Sequence, residues 1–111
     1  MVMRIESIEL IYICAKYLYE RYKENPYGEV KGDPFFKEIQ ESIFKNQNIS
    51  IKRSLFTGAL KYLQMYRSIL LNFNGGEFLF CPDAIPSTVQ LLPKIIDFVN
   101  RPDYIEFYRK E

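Results

Sequence analysis

The sequence predicts a single, mostly helical α+β domain of 111 residues. Two patterns carry this prediction: apolar residues recur at steps of three and four along several segments, and a glycine turn joins two apolar runs of strand length. Hydrophobic residues make up 48% of the chain and charged residues 26%, which is typical of a globular protein and excludes a disordered or fibrous class. A chain of this length can bury one core but not two. We therefore expect one domain over 1–111, with a main core in 7–81 and a helical extension in 87–111.

Two helices are predicted in the first half of the chain. Apolar residues at helical spacing run from Ser7 to Glu24, and Asn25-Pro26 ends this first helix because the residue before a proline avoids the helical conformation. A polar loop should follow. Asp33-Pro34 then supplies a capping residue and a first-turn proline for a second helix, which is predicted to end near 46–48.

A third helix is predicted from Ser50, its capping residue, to about Tyr66. Projected around a helix, one face holds the apolar residues Ile51, Leu55, Ala59, Tyr62 and Tyr66. The opposite face carries hydrogen-bond donors and no acid: Arg53, Thr57, Lys61 and Gln64. We expect the first face in the core and the second in solvent.

A β-hairpin is predicted after the third helix. Two apolar runs, 68–73 and 77–81, flank Asn74-Gly75-Gly76, which is typical of a tight hairpin turn. The hairpin must bury at least one of its apolar rows against the helices.

Two helices are predicted to complete the chain. Ser87 and Gln90 have capping-box spacing, so we expect a helix to start there, with either a kink or a later start imposed by Pro93. A last short helix should follow Asp103.

The predicted order, three helices followed by a hairpin with a glycine turn, resembles that of the winged helix-turn-helix DNA-binding superfamily. The resemblance covers 35–80, and residues 48–63 resemble its recognition helix, with a polar, capped start followed by a ladder of alanine and leucine. It implies that the third helix enters the major groove with its polar face towards the base edges. It also implies DNA contacts by residues on or beside that helix: Lys52, Arg53, Thr57, Lys61, Gln64 and Arg67. The hairpin turn contains Glu77 and no cation, which argues against a wing that touches DNA.

Other uses of the same surfaces stay open. A polar helix face is also what any amphipathic helix presents to solvent, and a net charge of +1 with a pI near 7.7 attracts nucleic acid only weakly. A protein-binding module, such as a small inhibitor, an immunity-type factor or an assembly subunit, would instead use an aromatic surface. The aromatic residues that we assign to such an interface are Tyr12, Tyr19, Tyr104, Phe107 and Tyr108. Alternatively, the C-terminal helices cover the tyrosines of the first helix and enlarge the core.

No catalytic, metal or cofactor site is expected. The chain has no histidine, the usual general base at neutral pH, and Cys14 and Cys81 show neither metal-ligand spacing nor a basic neighbour, so we read both as buried, reduced thiols. The N-terminus lacks a signal-peptide pattern, and no uncharged run is long enough to span a membrane. We therefore expect a cytoplasmic, non-enzymatic DNA-binding regulator of transcription that pairs as a homodimer through its first or last helices, with the protein-binding module as the alternative.

Overall fold

The computed structural model describes residues 7–47, 50–73 and 84–109. Helices and one small sheet make up these residues, which confirms the predicted α+β class. The elements in chain order are α1 (Ser7–Glu24), β1 (Glu29–Lys31), α2 (Gly32–Gln47), α3 (Arg53–Met65), β2 (Ile69–Asn72), β3 (Thr88–Leu91), α4 (Lys94–Val99) and α5 (Pro102–Arg109).

The sheet is antiparallel, and β3 lies between β1 and β2. Val89 of β3 is opposite Val30 of β1 on one side and opposite Leu71 of β2 on the other. Side chains alternate along each strand, so Ile69 and Leu71 are buried while Leu70 between them is exposed. The sheet therefore has one apolar face, and that face packs on the helices.

Residues Thr88–Leu91 form the central strand, so the prediction of a helix starting at Ser87 was wrong. Val89 and Leu91 are buried at the period of two that a strand requires, and partners on both sides of β3 satisfy its backbone groups. The capping-box spacing was overridden by these long-range pairings. Helix α4 begins only at Lys94, directly after Pro93, which confirms the later start rather than the kink.

The predicted hairpin is only partly covered by the described residues. Its first run contains β2, but its turn and its second run, 77–81, lie outside them. Within the described residues, β2 pairs with β3 and with no other strand. Pairing of 68–73 with 77–81 stays a prediction.

Strand β1 occupies the segment that was expected to be a polar loop, and Gly32 directly after it opens α2. The Gly32 N–H donates to the carbonyl oxygen of Ser87 over 3.1 Å. A Cβ atom at this position would lie 1.7 Å from the carbonyl oxygen of Pro86. Only glycine allows the start of α2 to approach the segment before β3 this closely.

The core forms around α1, which contacts α3, α4 and β3. Leu10, Cys14 and Leu18 of α1 are fully buried. The phenyl ring of Phe56 in α3 is also fully buried and makes edge contacts with the rings of Phe35 and Phe36 in α2. These aromatic contacts join the second and third helices.

Cys14 is a free cysteine, and its burial raises the pKa of the thiol. Cys81 lies outside the described residues. In the part of the chain that the structure covers, no helix combines the length and the apolar character needed to cross a membrane, and no group of side chains is placed to hold a metal ion.

Candidate nucleic-acid interface

Helix α3 is rotated from the orientation that the sequence predicted. Its core face contains Phe56, Thr57, Ala59, Leu60 and Leu63, all buried. Leu55 and Tyr62, which were expected in the core, are only half-buried, and Tyr66 is exposed. The exposed stripe runs along Ser54, Gly58, Lys61 and Met65, of which Lys61 is half-exposed.

Thr57 does not lie on the solvent face, so its assignment as a surface DNA contact was wrong. The side chain is fully buried, and its Oγ1 donates a hydrogen bond to the carbonyl oxygen of Ala84 over 2.9 Å. A buried hydroxyl without a partner would be costly, and this bond satisfies it. Thr57 therefore fastens α3 to the segment that leads into β3.

Gln64 is also used within the chain. Its Oε1 accepts a hydrogen bond from the backbone N–H of Leu71 over 2.7 Å. The carbonyl groups of Ser68 and Asn72 accept hydrogen bonds from the backbone N–H groups of Leu92 and Ser87, which flank β3. Because the backbone groups of successive strand residues point to opposite sides, the Leu71 N–H points away from β3. Unpaired groups on an edge strand are a template for unwanted pairing. Gln64 covers one such group, which corrects the expectation that this side chain faces DNA.

The cations assigned to DNA are at the surface. Lys52, Arg53 and Arg67 are exposed and Lys61 is half-exposed. Among the described residues, none of the salt bridges involves Lys52, Arg53 or Arg67. Instead, they join Arg21 with Glu24 and Glu38, Lys23 with Glu20, and Arg101 with Asp103.

Charge is segregated along the chain around this helix. Residues 42–76 contain five Lys or Arg and no Asp or Glu, which leaves ten Lys or Arg against fourteen Asp or Glu in the rest of the sequence. The near-neutral total therefore hides a strongly cationic segment. Four of its five cations lie on α3 or directly beside its ends: Lys52, Arg53, Lys61 and Arg67.

Arg67 follows α3 in a conformation that usually belongs to glycine. Its φ is 60°, in the left-handed region. The Arg67 N–H donates to the carbonyl of Gln64 over 2.8 Å, and the Ser68 N–H donates to that of Leu63 over 3.2 Å, which is the Schellman pattern of a helix end. The paired helix end thus holds the backbone of this exposed cation in a strained conformation.

Two of the tyrosines assigned to a protein interface are inside the core. Tyr12 and Tyr104 are buried, and the ring of Tyr12 contacts those of Phe98, Tyr104 and Phe107. The C-terminal helices therefore cover these parts of α1, which was the alternative left open by the sequence. Of the other assigned residues, Tyr19 and Phe107 are half-buried, and Tyr108 belongs to α5.

Arg101, which the sequence did not single out, connects the end of α3 to the C-terminal helices. Its guanidinium carbon lies 5.3 Å from the ring centroid of Tyr66 and 5.0 Å from that of Phe98. Its Nη2 is 3.2 Å from Oδ2 of Asp103. No short sequence motif marks such a contact, since its members are far apart along the chain.

The hydroxyl group of Tyr12 donates to Oδ2 of Asp103 over 2.6 Å and holds the pKa of that carboxyl below its ordinary value. Burial, together with the hydrogen bond to the Asp103 carboxylate, raises the pKa of Tyr12 from 10.0 to about 12. Burial also raises the pKa of Tyr104 from 10.0 to about 12. The folded state therefore favours both neutral phenols. This contribution to stability is complete below the ordinary tyrosine pKa and is lost as pH rises through the folded values.

We expect the stability of the protein to fall steeply between about pH 10 and pH 12, because the unfolded chain can release phenolic protons that the folded chain retains. Tyr12→Phe should remove part of this dependence. Thermal melts followed by circular dichroism across that range would measure it. Tyr27→Phe, at an exposed tyrosine, is the control. Identical pH profiles for wild type and Tyr12→Phe would contradict the prediction.

No family model matches the chain, and neither a curated protein nor a solved structure matches it.

Proposed function

We propose that this protein is a small, non-enzymatic DNA-binding protein of the transcription-regulator type that lays α3 against double-stranded DNA. The observation that supports this most directly is the acid-free, cationic segment around α3. Three of its exposed cations, Lys52, Arg53 and Arg67, form no salt bridge with an acidic side chain of the described residues. Phosphates attract such a surface and release bound counterions when it binds.

The order of elements supports a winged-helix-like arrangement. Three helices, α1, α2 and α3, precede two strands that pair antiparallel, β2 and β3. The second strand of this pair is β3, so fifteen residues separate the two strands.

The dimensions of α3 fit the proposal. The helix has 13 residues, which corresponds to about 20 Å of length. Lys52 and Arg53 lie at its start, Lys61 lies two thirds of the way along it and Arg67 follows its end. Cations spread over this distance can meet several phosphates of one duplex at once.

We expect Arg53→Ala together with Lys61→Ala to weaken DNA binding, because both cations lie on or beside the exposed side of α3. If both touch phosphate, the slope of log affinity against log salt should become shallower by about two. Fluorescence anisotropy with a labelled duplex at several salt concentrations would measure both effects.

The matched control is Lys37→Ala together with Lys94→Ala, which removes the same charge at two exposed positions outside 42–76. The affinity of this control variant for DNA should be close to that of the wild-type protein. If the wild-type protein fails to shift random and genomic DNA fragments at low salt, the DNA-binding proposal is wrong.

One observation favours a protein-binding module as the second candidate. Met65 is 78% exposed, Tyr66 47% and Leu70 45%, and all three lie at the end of α3 or in β2. Large apolar side chains that stay exposed can mark a protein interface. Mass spectrometry of what co-purifies from native lysate, with and without nuclease, separates the two candidates, since only DNA-dependent partners disappear after nuclease treatment.

A homodimer is part of the DNA-binding proposal. Ile8 of α1 and Ile105 of α5 are partly exposed, so the first and last helices each offer an apolar side chain for pairing. A mass consistent with one chain at all concentrations, measured by light scattering, would exclude this pairing while leaving DNA binding by a monomer open.

A further inference from the structure

Two of the residues best suited to hydrogen-bond bases are occupied by the protein itself. Gln64 can pair with adenine and Thr57 can bond to several bases, but Gln64 accepts the Leu71 N–H and Thr57 is buried against Ala84. An amide or hydroxyl that already satisfies a buried partner cannot turn outward without leaving that partner unpaired. Neither side chain is therefore available to read a groove.

The middle of the exposed stripe has no side chain to read a base. Gly58 occupies it, and a Cβ atom placed there would lie within 4 Å of no described atom beyond its chain neighbours and the adjacent backbone of α3. A glycine in a helix interior is less favourable than alanine, and the described residues around Gly58 leave room for a larger side chain. Its effect on the surface is to leave the helix backbone uncovered between Ser54 and Lys61.

The remaining groups of this surface suit phosphates better than bases. Ser54 bonds to any base and therefore discriminates little, and Met65 has no hydrogen-bond donor. Lysine binds phosphate as a point charge. Arg53 lies about 100° around the helix from Ser54, beside the stripe rather than within it. Only Lys61 combines a place in the stripe with a preference for one base, guanine.

From these observations we infer that α3 binds the sugar–phosphate backbone of duplex DNA and discriminates little between sequences. This inference rests on the proposed function, and it narrows the ligand to the backbone that all duplexes share. Sequence-reading proteins bind their sites about 10³-fold to 10⁷-fold more tightly than other DNA. Within the exposed stripe, Lys61 is the one side chain with a preference for a single base, so the ratio between duplexes should stay below about a hundredfold.

The test is the affinity of the full chain for labelled duplexes of equal length and unrelated sequence, together with selection from a randomised duplex pool. We expect affinities within about a hundredfold of one another, a steep dependence on salt and no enriched consensus. Lys61→Gln should weaken binding to every duplex by a similar factor and lower the salt slope by about one. Lys94→Gln, which removes the same charge elsewhere on the exposed surface, is the control.

An enriched consensus, or one duplex bound more than a hundredfold more tightly than the rest, would overturn the inference and leave the DNA-binding proposal standing. A loss confined to guanine-containing duplexes in Lys61→Gln would do the same, because it identifies Lys61 as a base reader. Absence of binding to every duplex at low salt would instead overturn the DNA-binding proposal itself, and the inference with it.

Discussion

Gly32→Ala is expected to destabilise the protein by about 3 kcal/mol or more, at the upper end of what overpacking costs. The new Cβ atom would lie 1.7 Å from the carbonyl oxygen of Pro86. Neither segment can retreat freely, because the Gly32 N–H is bonded to Ser87 and both segments continue into paired strands. Urea unfolding followed by circular dichroism would measure the change.

Gly58→Ala is the matched control, since it makes the same substitution at a helical glycine with open space around it. Alanine is the better helix former, so we expect this variant to be more stable by about 0.5–1 kcal/mol. The two substitutions should therefore change the free energy of unfolding in opposite directions. Unchanged stability in Gly32→Ala would show that the start of α2 is not fixed against the segment before β3.

Phe56→Ala is expected to cost about 3–5 kcal/mol, because removal of a fully buried phenyl ring leaves a cavity that the surroundings fill only in part. Its ring meets those of Phe35 and Phe36 with centroids 5.0 Å apart in each case. Small domains are stable by only about 5–15 kcal/mol, so this loss is a large share of the total. A melting temperature lower by about 4 °C for each kcal/mol is expected at this chain length.

Phe44→Ala provides the comparison on α2, because Phe44 is 56% exposed. Its effect should stay within about 0.5 kcal/mol, as for most surface substitutions. Similar losses in the two variants would contradict the contacts that we describe between α2 and α3.

Local signals in the sequence were sufficient to predict α1 and the existence of α3. The bounds Ser7–Glu24 of α1 agree with the prediction, because an amphipathic period and the Asn25-Pro26 stop are both contained in the segment itself. Helix α3 was also predicted, although its start lies three residues after Ser50. The rotation of α3 was not predictable in the same way, since it depends on contacts of Phe56 with rings on another helix.

Strand β3 and the internal roles of Thr57 and Gln64 depend on atoms distant in sequence. Thr88–Leu91 becomes a strand only because β1 and β2 lie on both sides of it, and no local pattern records that arrangement. The partners of Thr57 and Gln64 are backbone atoms of Ala84 and Leu71. The sequence therefore does not distinguish a polar helix residue that faces solvent from one that hydrogen-bonds to the backbone of a neighbouring segment. The predicted cations of the candidate site are therefore at the surface, whereas Thr57 and Gln64 form hydrogen bonds within the protein.

The position of β3 also determines the order in which the protein can fold during synthesis. Both outer strands, β1 and β2, leave the ribosome before the strand that joins them. The helices can form from local contacts, but the sheet must wait until Leu91 has emerged, and pairings between distant residues form more slowly than local ones. During that interval, the nascent chain carries two strands without their common partner, and such edges are prone to associate with other chains. The emergence of β3 is therefore the step of synthesis at which β1 and β2 can pair with their common partner.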